Sequence, residues 1–184
     1  GPVRDAIVDA FLQCAAQLLA AGDRAGAHNI FDQLGQRKET ESVRAAAYAG
    51  LIRAAGDRAL KLVTAGIEGS EPATQIAALQ LARTLQDPAA TGAFTNRLTK
   101  ATPAMQMALL GVLQQRDDAA AAPAALTAAR SPDLQVRLAA FAALGALGDA
   151  TAIPLLAAAA TSSAEAEQKA ARQALTELRR GPVG

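Results

Sequence analysis

Six alanines recur at a fixed step of 31 residues: Ala15, Ala46, Ala77, Ala108, Ala139 and Ala170. A fixed period of this length constrains the fold strongly, because each repeat must bury its apolar face on its neighbours. Alanine-rich sequence aligns with itself by chance, so the polar positions decide. Two residues before each alanine stand Gln13, Arg44, Gln75, Gln106, Arg137 and Gln168, all long and polar. Asp87, Asp118 and Asp149 keep the same step, as do Pro123 and Pro154. The position after the alanine is apolar throughout: Ala16, Ala47, Ala78, Leu109, Ala140 and Ala171.

Within a repeat the apolar spacing is helical. Val136, Ala139, Ala140, Ala143, Leu144 and Leu147 follow the i, i+3, i+4, i+7 pattern of one buried face. Gly148-Asp149 then breaks the helix, glycine suiting a left-handed C′ position and aspartate capping the next start. A shorter second helix follows from Ile153 to Ala160, with Pro154 tolerated in its first turn. Thr102-Pro103 and Ser131-Pro132 open new repeats by the same cap-then-proline logic. The spacing predicts helical hairpins over 3–21 and 24–35, 42–55 and 58–68, 72–85 and 88–99, 103–116 and 119–130, and 133–147 and 150–161. A last single helix covers 164–179. The longest break is GQRKETE, residues 35–41.

Composition agrees with this map. Hydrophobic residues make up 51% of the 184 and aromatics only 3%, with alanine filling the gap. Alanine is the best helix former, and a helix faced with it lets a neighbour approach closely. The expected fold is therefore all-α, a stack of about five helical hairpins plus one terminal helix.

The stretch SPDLQVRLAAFAALGALGDATAIPLLAAA resembles a HEAT repeat of the short bacterial type, close to the PBS-lyase HEAT-like form. Pro132, Val136, Arg137, Ala139, Ala140, Leu144, Gly145, Leu147, Gly148, Asp149, Ile153, Pro154 and Leu156 carry the likeness. Residues 102–131 match well, 42–101 moderately and 1–36 weakly, where LLAAGDRAGAHNIFDQL also resembles a TPR-like hairpin. The resemblance implies an armadillo-like, right-handed α-α superhelix (an α-solenoid) whose second helices line a concave face. It implies one HEAT-like domain over 1–184, with units at 1–36, 42–70, 71–101, 102–131, 132–162 and an incomplete 163–184. It further implies a ladder of hydrogen bonds between repeats. Arg44 and Arg137 fit its arginine position, and Asp87, Asp118 and Asp149 are candidate partners. Glutamine at Gln13, Gln75, Gln106 and Gln168 departs from the pattern and makes the ladder partly uncharged.

The chain opens on Gly1-Pro2 instead of methionine, and Gly181-Pro182 should open a partner for the last helix just before Gly184. It is therefore expected to be an excerpt of a longer array or multidomain protein. A single cysteine excludes an internal disulfide framework. No apolar run approaches the roughly 20 residues that span a bilayer, and no signal-peptide pattern opens the chain.

Little in the sequence carries chemistry. Cys14 and His28 are each the sole residue of their kind, too few for a zinc site. Cys14 is expected as a small buried filler and His28 as a surface residue. No phosphate-binding loop is present, since GALGD reads as a helix end. Glu165 and Glu167 sit at a helix start, where negative charge complements the dipole. The net charge of +1 argues against a nucleic-acid binder, which usually shows a basic excess. Arg58, Lys61, Arg97, Lys100 and Arg130 nevertheless form a modest basic set on the second helices. Tyr48 shares a repeat position with Phe141, which points to packing and not to base stacking. QRKETESVR, residues 36–44, is the densest charge run and reads as a solvated connection.

The expectation is a non-enzymatic scaffold, without cofactor or metal, that binds a protein partner or holds neighbouring domains. Its candidate binding side chains are Lys61, Thr64, Glu68, Thr95, Arg97, Lys100, Thr127 and Arg130. The alternative is a nucleic-acid or phosphate ligand on the basic set. A lyase or glycosylase would require a concave acidic or aromatic cluster, and the sequence offers none.

Overall fold

The computed structural model describes every residue except Arg37 and residues 179–184. Among the described residues there are eleven α-helices and no strand: α1 Pro2–Ala20, α2 Arg24–Gln36, α3 Glu41–Ala54, α4 Ala59–Glu68, α5 Pro72–Ala82, α6 Ala90–Leu98, α7 Pro103–Arg116, α8 Ala122–Ala128, α9 Leu134–Leu147, α10 Ile153–Ala159 and α11 Glu165–Leu178. Single 3-10 turns lead into α4, α8 and α10. The fold is all-α, as the repeat demands. The helices gather into two compact units, one ending at Asp87 and the other beginning at Pro88. That boundary falls inside the third predicted repeat, so α5 belongs to the first unit and α6 to the second.

In unit 1, α2 packs against both α1 and α3, and α5 against α3 and α4. Val8, Leu34 and Ala47 form one core cluster; Ala15, Ala27 and Phe31 form the next. The α1–α2 turn closes as a Schellman motif. Gly22 is left-handed at φ 86°, its N–H donates to Leu19, and the Asp23 N–H donates to Leu18. The charge run is shorter and tighter than its composition suggests. α2 extends to Gln36, and Thr40 caps α3. Between them Arg4 of α1 donates to the Lys38 carbonyl and to the Glu39 carboxylate.

In unit 2, α9 packs against α7, α8 and α11, and α6 against α7. With neighbours on several sides, α9 buries Phe141 and Gly145 as well as the predicted Val136, Ala140, Ala143, Leu144 and Leu147. The second helices bury every fourth residue: Ala90, Phe94 and Leu98, then Ala121, Ala125 and Ala129, then Ala152 and Leu156.

Small residues act as spacers in both units. A Cβ on Gly66 of α4 would lie 2.7 Å from the Ala78 Cβ of α5. One on Gly145 of α9 would lie 2.9 Å from the Ala174 Cα of α11.

The structure corrects the register in the first repeat. Ala47, Ala78, Leu109, Ala140 and Ala171 are all 0% exposed, so the fully buried position is the one after the recurring alanine. In α1 the 0% position is Ala15, while Ala16 is exposed. The step from Ala15 to Ala47 is 32 residues. One extra residue rotates a helix face by about 100°. Cys14 is exposed, against the expected buried filler, because its column (Ala45, Ile76, Met107, Leu138, Lys169) is buried in none of the repeats.

Two turn assignments also change. Gly148 is extended (φ −75°, ψ 162°), and glycine is required there because a Cβ would collide with the Leu144 carbonyl. The left-handed end belongs to Asp117 of α7, at φ 52°. Asp133, and not Ser131, caps α9, accepting from the N–H groups of Gln135 at 2.8 Å and Val136 at 3.2 Å.

Candidate functional site

The long polar position of the repeat forms a set of latches. Gln75 donates to the Gly69 carbonyl at the end of α4, and Gln106 to the Leu98 carbonyl at the end of α6, at 3.1 Å. Arg137 reaches the Ser131 carbonyl at 2.8 Å and the Pro132 carbonyl at 3.0 Å. Each side chain thus satisfies carbonyls that a helix end or the turn after it leaves open, and ties a first helix to the segment before it. The arginines also reach forward. Arg44 pairs with Glu71 at 2.9 Å, and Arg137 pairs with Glu167, which also accepts from Ser162.

The expected aspartate partners serve elsewhere. Asp118 and Asp149 accept from the N–H groups of Ala120 and Thr151 and cap the 3-10 turns before α8 and α10. Asp87 is half-buried at the end of unit 1, in the connection that follows α5. The carboxylates that meet the arginines sit one helix further on, because an arginine near the start of a first helix points at the start of the next one. Gln13 lies on the exposed side of α1, off the latch register by the same one-residue slip, and Gln168 is half-buried in α11.

Of the eight candidate binding residues, Lys61, Thr64 and Glu68 lie in unit 1 on α4, with Lys61 and Glu68 exposed. Thr95, Arg97, Lys100, Thr127 and Arg130 lie in unit 2. Three threonine hydroxyls are already engaged within their own helices. Thr64 donates to the Leu60 carbonyl, Thr95 to that of Gly92 and Thr127 to that of Pro123. The structure brings Thr127 and Arg130 together on a cleft of about 230 Å³, whose other walls include Leu98, Gln106 and Pro132. Arg130 also lines a neighbouring cleft of about 400 Å³ with Arg137, Phe141, Leu155 and Glu167. An exposed guanidinium thus stands between two adjoining depressions, the first mostly apolar and the second mixed, with Arg137 and Glu167 among its walls.

A polar junction that the sequence did not disclose joins α6 to the turns that follow α7. Thr91, 4% exposed, is the one buried polar residue among the described residues. Its hydroxyl accepts from Arg116 Nε at 3.4 Å and bonds to Asp118. The Arg116 guanidinium lies over the Phe94 ring, 5.6 Å from its centre. The Thr91 hydroxyl, followed by the Ala120 N–H, holds the Asp118 carboxyl below the usual carboxylate range. The hydroxyl and N–H of Thr151 do the same for Asp149. The 31-residue column through Thr91 (Asn29, Leu60, Ala122, Ile153) mixes polar and apolar residues and gave no signal of this position.

In unit 1 the Tyr48 hydroxyl donates to the Leu62 carbonyl at 2.7 Å, and burial raises its pKa. Tyr48 is a packing residue. Cys14 is an exposed thiol on α1 and His28 is half-buried in α2. Among the described residues no group of three or more His, Cys, Asp or Glu side chains is placed to hold a metal ion. No described helix is long and apolar enough to cross a membrane.

These features define a class: an all-helical repeat protein whose hairpins are spaced by small residues and latched through one polar position. Residues 91–176, a little under half of the chain, match the family of HEAT repeats, and the match supports a HEAT-repeat protein. The match covers most of unit 2. No curated protein matches the chain. HEAT repeats are generally protein-interaction scaffolds.

Proposed function

We propose that this chain is a non-enzymatic scaffold whose second unit binds a short acidic segment of a protein partner. The observation that carries the reading is Arg130, exposed between a largely apolar cleft of about 230 Å³ and a mixed one of about 400 Å³. A carboxylate of the partner would meet the guanidinium while flanking apolar side chains enter the clefts. Thr127 lines the first cleft with its hydroxyl engaged by the Pro123 carbonyl. Preformed walls keep the ordering cost of binding low.

The test uses three probes on the full chain: a short peptide mixing leucine with glutamate, the same peptide with lysine for glutamate, and single-stranded DNA. Amide shifts of Thr99, Gln106 and Ser131 report binding at the clefts. The acidic peptide is expected to move them, and Arg130→Glu to abolish the effect. DNA affinity that falls steeply with salt, and with neutralisation of Lys61, Arg97, Lys100 and Arg130, would replace this reading with the nucleic-acid one.

A further inference from the structure

We propose that Arg4 of α1 holds open a latch that Arg44 of α3 closes when α1 lets go, the two arginines competing for the Lys38 carbonyl. The exchange lies in unit 1, apart from the clefts beside Arg130. Three repeats place the latch side chain alike. Arg44, Gln75 and Arg137 each stand fourth in their helix, after starts at Glu41, Pro72 and Leu134. Gln75 and Arg137 donate to the carbonyls of Gly69 and Ser131, six residues earlier. Each of those carbonyls lies two residues before the cap of the helix, Glu71 or Asp133. The same offset from Arg44 falls on Lys38, two residues before the Thr40 cap.

That carbonyl is already taken. Arg4 donates to it at 3.0 Å from 34 residues away in sequence, and to the Glu39 carboxylate at 2.9 Å. Arg44 is left half-employed. Arg137 divides its guanidinium between two carbonyls and Glu167, to which its Nε also donates. Among the described residues, Arg44 makes one ion pair, with Glu71 at 2.9 Å, and its Nε is buried without a hydrogen-bond partner. A buried donor without an acceptor carries its full desolvation cost. Arg44 therefore gains from a further acceptor, and its place in the repeat puts one at the Lys38 carbonyl.

A guanidinium has five N–H donors, so Arg44 can close the latch and keep Glu71, as Arg137 keeps Glu167. The Arg4 side chain is 58% exposed, and a bond so open to water is readily exchanged. Docking of α1 and closure of the α3 latch thus exclude one another at a single acceptor. With α1 docked, the 38–39 connection is tied to α1 and Arg44 reaches forward only. With α1 displaced, the connection is tied to α3, and the Glu39 carboxylate, its side chain 7% exposed beside Arg4, must turn to water. The stack from α3 onward keeps a tie to the segment before it in either state, which makes α1 a helix that can move without unlatching the array.

A double-mutant cycle in the full chain, read from hydrogen exchange of the slowest amides of α3 and α5, tests the competition. Arg44→Met alone is expected to lower their protection about threefold, the worth of a part-exposed ion pair. In an Arg4→Met background the same change should lower it about tenfold, because there Arg44 also holds the carbonyl. Arg4→Met/Glu39→Gln repeats the cycle without an unpaired carboxylate. In both backgrounds the Arg44 Nε–H resonance should shift, and its Nη groups should rotate more slowly than in the native chain. Equal losses on the two arms of the cycle, or Arg44 resonances that stay as they are in the native chain, overturn the proposal. So does loss of α3 in both backgrounds, since a latch able to close would have held it.

Discussion

The two units share one repeat period and join their elements differently. Unit 2 ends a first helix in a left-handed Asp117, enters two of its second helices through aspartate-capped turns, and sets the Thr91–Arg116–Asp118 junction on α6. Unit 1 closes its first turn on a left-handed glycine, carries the extra residue that shifts α1, and pins its charged loop to α1 through Arg4 and Glu39. The lesson is that a repeat specifies the column of residues in contact, while the turns are free to find separate solutions. The family match follows the same division, covering 91–176 and leaving unit 1 outside it.

The largest effect should come from the shared column. Leu144→Ala empties a fully buried site in α9 and is expected to cost about 3 kcal/mol in urea unfolding. Hydrogen exchange should then accelerate in α9 and α11 while α1 and α2 keep their protection. Loss of protection throughout would show the two units to be one cooperative block.

Next comes the charged latch. Arg137→Met removes bonds to two carbonyls and to a partly buried Glu167, and is expected to cost about 2 kcal/mol. The neutral latch is smaller. Gln106→Ala should cost about 1 kcal/mol, whereas Gln13→Ala should stay within about 0.5 kcal/mol of the native chain. Equal costs for the two glutamines would restore a strict register of 31 and refute the slip in α1.

The smallest difference is in pH response. Asp118 and Asp149 have folded carboxyls below the ordinary value, so each favours the folded state when deprotonated. Their contribution is complete above the ordinary carboxylate value of about 3.9 and is lost as pH falls through that value toward the folded one. Between about pH 5 and pH 3, the native chain should lose stability more steeply than the Asp118→Asn/Asp149→Asn double variant. Exchange in α8 and α10 should report the change, and α2 should not.

Most of the fold could be read from the period and its caps. Helix starts at Pro2, Arg24, Glu41, Pro72 and Pro103 fall within a residue of their predicted positions, because caps and prolines act locally. Gly148 misled because a glycine can serve a close approach as well as a left-handed turn, and sequence does not separate the two. Cys14 misled because a small residue beside a recurring alanine reads as core, while its own column is buried in no repeat. The latch position was legible as a polar column, but its partners were not. They depend on which way a side chain leaves the start of a helix, and that is set by packing. The two clefts beside Arg130 were invisible for a similar reason. Their walls come from three helices separated in sequence, and only two of the eight candidate residues reach the first of them.

The latches also decide where the chain can lengthen. Gln75 and Gln106 span only the residues between one helix end and the next helix start, so an insertion there would carry donor and carbonyl out of reach. Residues 38–40 are held in another way, by Arg4 of α1 through the Lys38 carbonyl and the Glu39 carboxylate. An insertion there would break an exposed contact with Arg4 and leave the buried column between helices in place, so that connection is where loops or grafted sequences belong.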